Sequence, residues 1–267
     1  MRVQARLLVP IAILLSPSLA VAVLALGASA PYAAALAAVA KEDTVGALPL
    51  FEQALEAAPD DLHVANDYRK AVIAAQAYDR ALDFFQRLTA AHPKAGNAWL
   101  NYGYAYVDKI PVAGSITRVI LANGAITQFG KSIKSARTWV ALYTRGNSYN
   151  YWPTIFGRAP LAVADLEEAL GLARREAEQG RRLRVHARTW VALGDAYWKT
   201  DRKESARSIW REGISRFPDT PEATELAERL ARIDAPKNGQ SLDDYLAAKL
   251  DPAVRVDTSL DGLWSDP

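Results

Sequence analysis

Cysteine is absent from the 267 residues. Without it there is no disulfide framework, no thiolate metal site, no cysteine nucleophile and no anchor point for the acyl chain of a bacterial lipoprotein. Histidine is almost as scarce, and His63, His92 and His186 are scattered without metal-ligand spacing. No G-x-S-x-G nucleophile elbow occurs. The adjacent acids Asp60-Asp61 and Glu167-Glu168 point to different faces and make poor acid/base dyads. Excess charge is missing too: the formal net charge is +2, so no global basic field points to nucleic acid. No enzyme, metal site or cofactor is expected. A chain of this length without cross-links depends on packing, and its 50% hydrophobic, alanine-rich composition favours helices.

Charge is also missing from the start of the chain. Arg2 and Arg6 precede a run over 7–40 with no charged side chain, and Leu7–Leu15 and Leu19–Leu26 are apolar blocks. A basic segment followed by an apolar one predicts a signal peptide or membrane anchor over 1–30. Ala28-Ser29-Ala30 and Ser18-Leu19-Ala20 have the small-x-small form of a cleavage site. Left uncut, the apolar run is long enough to span a bilayer, which takes about 20 residues. With the arginines kept inside, the rest of the chain would be periplasmic or otherwise exported, and anchored to the inner membrane if the segment is retained.

What is present is a period. Ala47, Phe51, Ala54 and Pro59 recur as Ala81, Phe85, Leu88 and Pro93, each 34 residues on. Trp99, Tyr102, Gly103 and Tyr106 have the spacing W-x2-Y-G-x2-Y, and Trp190, Leu193, Gly194 and Tyr197 repeat it before Ala206, Trp210, Gly213 and Pro218. A small residue (Ala35, Gly103, Gly194) lets an aromatic knob from a second helix approach closely, and Phe51, Phe85 and Trp210 are such knobs. Pro59, Pro93 and Pro218 then close each second helix.

These residues resemble the tetratricopeptide repeat over about 31–220. The resemblance implies an all-α fold: a right-handed α-solenoid of about five helix-turn-helix repeats, at 28–61, 62–95, 96–135, 136–180 and 187–220, in a domain spanning 31–234. Pro221–Ile233 would be the C-terminal capping helix. It also implies a non-catalytic scaffold or adaptor that grips a peptide or protein in its concave groove, by resemblance one serving a complex at the cell envelope.

The middle repeats are irregular. In the third, Ala122, Ile126 and Phe129 fit the alanine, knob and third packing slots, seven residues late; in the fourth, Ala162, Leu166 and Ala169 fit them, again seven late. The extra residues, Lys109–Ser115 and about Tyr151–Gly157, would lie side by side along one edge of the stack and form a site or lid. Every charged residue from Lys109 to Arg158 is basic. Arg137, Arg145, Asn147, Tyr149, Trp152 and Arg158 are therefore the expected partner-binding residues, suited to an acidic protein or peptide. The alternative is a small anionic ligand or glycan held under the paired insertions.

Two segments remain. Ala125–Ser132 matches a loose phosphate-binding loop, but alanine replaces its first glycine and the repeat register makes it helix. The stretch 235–267 is acidic, with Asp243, Asp244, Asp251, Asp257, Asp261 and Asp266, and it ends in the apolar Leu260, Leu263 and Trp264. It is expected to be a partly disordered tail that docks on the basic groove of the third and fourth repeats or serves as a motif for another protein.

Overall fold

A computed structural model describes residues 30–181, 183–234, 239–251 and 256–264. The basic and apolar start of the predicted export segment and Arg182 lie outside the described residues. Among the described residues the regular elements are α-helices and short 3-10 turns, and no helix is long and apolar enough to cross a membrane. The helices are α1 (30–39), α2 (Thr44–Ala57), α3 (Leu62–Ala75), α4 (Tyr78–Ala91), α5 (Gly96–Lys109) and α6 (Ser115–Ser135). They continue as α7 (Trp139–Asn150), α8 (Ala159–Glu178), α9 (Ala187–Lys199), α10 (Lys203–Arg216), α11 (Pro221–Asp234) and α12 (Leu242–Lys249). Five consecutive helix pairs, α1–α2 to α9–α10, stack as a right-handed α-solenoid, and α11 closes the end.

Local chemistry sets the boundaries. Pro59, Pro93 and Pro218 each stand two residues beyond a helix end, at α2, α4 and α10. The Asp61 carboxylate accepts from the His63 and Val64 amides and caps α3. Gln76 and Asp201 take left-handed backbone at tight turns within pairs. His92 is the C-cap of α4, the turn position expected for it.

Close approach explains the small residues. A Cβ at Gly194 would lie 1.9 Å from Nε1 of the buried Trp210, and one at Gly103 would lie 2.3 Å from the Phe129 ring. The second contact corrects the expected register. Phe129 rather than Ile126 is the knob of the third repeat, and buried Ala125 rather than Ala122 fills the alanine slot. Both pairs share the i,i+4 spacing, and the room left above Gly103 selects the aromatic ring.

In the fourth repeat Ala162, Leu166 and Ala169 are fully buried as expected, and Leu166 packs over Gly146. Ala125 follows Gly103 by 22 residues and Ala162 follows Gly146 by 16, against 12 from Gly194 to Ala206. The two insertions are therefore unequal. The first is built as a 3-10 turn, Ile110–Val112, plus extra N-terminal turns of α6; the second contains a 3-10 turn at Thr154–Phe156.

The C-terminal end is folded onto the stack. Arg229 of α11 donates to both carboxylate oxygens of Asp195 on α9, at 2.7 and 2.9 Å, with both side chains buried. Ser241 and Asp244 form a capping box at α12. Leu242 and Leu246 are buried, and the Tyr245 hydroxyl donates to Glu228 of α11. Residues 256–264 then run back across the concave side.

Candidate binding groove and cavity

The first helices of the pairs, α3, α5, α7 and α9, face the concave side. Two of them carry polar residues that the helical pattern would leave in solvent. Arg69 of α3 and Asp108 of α5 pair at 3.0 Å with both side chains only 2% exposed. Arg69 also donates through Nε to Asn101 (2.9 Å), and its guanidinium lies 4.5 Å from the centroid of the Tyr104 ring. Charges survive such burial only when their remaining donors and acceptors are met.

The C-terminal segment completes the set. Arg69 donates to the Thr258 carbonyl at 2.7 Å, and the Thr258 hydroxyl donates to Asp108. Asn66 accepts from the Leu260 amide through Oδ1 (2.9 Å) and donates from Nδ2 to the Asp261 carboxylate (2.8 Å). Lys70 pairs with Asp261 at 2.9 Å. Trp264 stacks on His63 with centroids 4.4 Å apart, and Leu260 is buried. The groove thus reads one backbone carbonyl, one backbone amide, a hydroxyl, a carboxylate and an apolar side chain of an extended segment. The polar anchors of residues 256–264 are on the second and third repeats, not on the third and fourth that the sequence suggested.

Beside this segment a cavity of about 270 Å³ opens between α5, the start of α6, α7 and the chain end. Val107, Ile110, Val119, Val140 and Phe156 line it together with Leu260 and Leu263 of the C-terminal segment. Both insertions reach it, through Ile110, Pro111 and Arg118 on one side and Pro153 and Phe156 on the other. Lys199 of α9 donates to the carbonyls of Asn150 and Trp152, which fixes the loop after α7 and sets the Trp152 ring in the wall.

The six sequence-selected residues divide between two environments. Asn147 and Trp152 line the cavity, and the Arg158 guanidinium covers the Trp152 ring at 4.7 Å while bonding Asn123. Arg145 faces α8, where it makes a two-armed pair with Asp165 (2.7 Å each). Arg137 makes a similar pair with Glu168, holding that carboxyl below the usual carboxylate range. Tyr149 is buried, and burial raises its pKa.

Among the described residues no group of three or more His, Asp or Glu side chains is arranged to hold a metal ion. Ala125–Ser132 lies inside α6, so its amides serve the helix and do not wrap a phosphate. Asp165 is helical and paired to Arg145. Further along the chain, Arg174 of α8 pairs with Glu212, and Arg188 of α9 lies near Glu222 and Asp257.

Sequence reasoning missed Asn66, Arg69 and Asp108. One signal was available: Arg69 stands 12 residues before Ala81, the interval that separates Gly194 from Ala206. It therefore holds the slot that elsewhere takes a small residue.

An α-solenoid of helix pairs, with an extended segment of the same chain along its concave side, defines the class as a helical repeat protein. Residues 38–107 and 187–220 match tetratricopeptide-repeat family models. The chain thus carries tetratricopeptide repeats in these two stretches. Among solved structures it is similar to a thermophilic TPR protein of Thermus thermophilus, with 20% identity, a TM-score of 0.52, and coverage of 76% of this chain and 98% of that one. MamA protein aligns with 15% identity and a TM-score of 0.48 over 78% of this chain and 96% of its own. No curated protein matches the sequence.

Proposed function

We propose that this protein is a non-catalytic scaffold whose concave groove holds an extended, acidic segment of a protein partner. The observation that carries this reading is Asn66, which contacts both the backbone amide of Leu260 and the carboxylate of Asp261. A side chain that addresses backbone and side chain together recognises an extended strand of peptide rather than a surface. Residues 256–264 fill the groove in cis, so a partner with the same chemistry competes with them. The acidic character follows from Lys70 and Asn66 on Asp261. Tetratricopeptide repeats commonly serve protein–protein assembly, which supports the same reading.

The test is titration of a peptide spanning 256–264 into the full chain carrying Leu260→Asp and Trp264→Ala. Tethering gives the native segment an effective concentration of about millimolar. The expected result is saturable binding to the variant, at least about tenfold tighter than to wild type and lost on adding Asn66→Leu. Failure of the peptide to bind the freed groove contradicts the reading.

Placement at the cell envelope belongs to the same proposal and rests on Arg2, Arg6 and the uncharged run after them. Fractionation of cells expressing the full chain tests it, with recovery in the cytosol as the contrary result.

A further inference from the structure

The cavity beside the groove has a chemistry that peptide holding does not use. Its wall is largely apolar, and its volume of about 270 Å³ is near the lower end of the roughly 300–1,000 Å³ typical of small-ligand sites. Several polar side chains in the wall are left over. The Tyr143 and Tyr151 hydroxyls and the Asn147 amide meet no hydrogen-bond partner among the described residues. Arg118 bonds the Ala113 carbonyl through Nε (2.9 Å) and has no carboxylate partner among the described residues. The acid in the wall, Asp257, lies 3.6 Å from Arg188. Outside, the exposed apolar side chains of Ile116, Ile120 and Ile155 belong to the same two insertions. The stretch between Lys109 and Arg158 contains no acidic residue, and Arg137 and Arg145 find theirs on α8 while Arg118 does not.

We propose that this cavity binds a small amphipathic anion, with its apolar chain between Val107, Val119, Trp152 and Leu260 and its anionic head at Arg118. An apolar interior excludes a glycan, whose hydroxyls would lose their water without replacement. The unpaired guanidinium selects an acidic head over a neutral or cationic one. Leu260 and Leu263 form part of the wall, so a ligand here also contacts the segment that fills the groove.

Decanoate, as a monomer and without vesicles, is the probe. Calorimetric titration into the full chain is expected to show one saturable site, at least about tenfold weaker for decyltrimethylammonium and about tenfold weaker for Arg118→Ala. Ala122→Trp, directed into the space from α6, is expected to abolish binding while helical circular dichroism and the melting temperature hold. Phosphatidylglycerol vesicles separate a membrane surface from a ligand site. Absence of saturable decanoate binding overturns the proposal. So does binding only to vesicles that persists in Ala122→Trp, because the exposed isoleucines alone would then account for it.

Discussion

Arg69 and Asp108 form an ion pair at 3.0 Å on neighbouring helices α3 and α5, and Thr258, 150 residues beyond Asp108, bonds both members, its carbonyl accepting from Arg69 and its hydroxyl donating to Asp108. Both side chains are only 2% exposed. The pair therefore joins the repeat stack to the chain end, and it is the point where stability and groove occupancy meet.

Removing one member leaves the other buried and uncompensated. Arg69→Met is expected to destabilise the fold by about 3–5 kcal/mol. Arg69→Met with Asp108→Leu is expected to cost less than the sum of the two single changes. Urea unfolding of the four proteins measures this, and additive losses would show that the two residues do not interact.

Gly194→Ala puts a methyl group where Trp210 Nε1 already lies, and Gly103→Ala puts one into the Phe129 ring. Each is expected to cost about 1–3 kcal/mol by overpacking. Trp210→Leu should relieve part of the Gly194→Ala penalty, and a thermal melt of the pair reads the relief directly.

His186 is 1% exposed, packs against Trp139 at 4.6 Å, and leaves Nε2 without a hydrogen bond. Glu176 stands 3.7 Å away, but burial is the larger influence and lowers the imidazole to about pH 4 from its usual 6.5. The unfolded chain thus takes up this proton first as pH falls. The contribution is complete above about pH 6.5 and declines toward pH 4. His186→Phe should flatten the fall in melting temperature over that window, and an unchanged slope would assign it to other groups.

Most of the stack is readable from spacing alone, because Phe51, Phe85 and Trp210 recur in phase with the alanines one turn before them. The third repeat is ambiguous in sequence because Ala122–Ile126 and Ala125–Phe129 satisfy the same spacing. The choice between them depends on the space above Gly103, a property of two helices together. The groove is not readable for a related reason. Asn66 and Asp261 are 195 residues apart, and no periodicity links a helix to an extended chain end. Arg145 looks free in sequence because its partner Asp165 belongs to the next helix, across an insertion of unusual length.

Scaffolding of an acidic segment requires that residues 256–264 occupy the concave groove and exclude an incoming segment of the same kind. A Cβ built at Gly262 would lie 3.3 Å from Val185 Cβ, close to the roughly 3.5–4.5 Å that a disulfide spans. The natural chain has no cysteine to compete. Val185→Cys with Gly262→Cys, added to the Leu260→Asp, Trp264→Ala chain, tests this occupancy. The predicted result is that oxidation closes a disulfide and blocks binding of the 256–264 peptide, and that reduction restores it. If the two cysteines fail to join, or if the joined protein still binds the peptide at full strength, the segment does not lie where the function requires it.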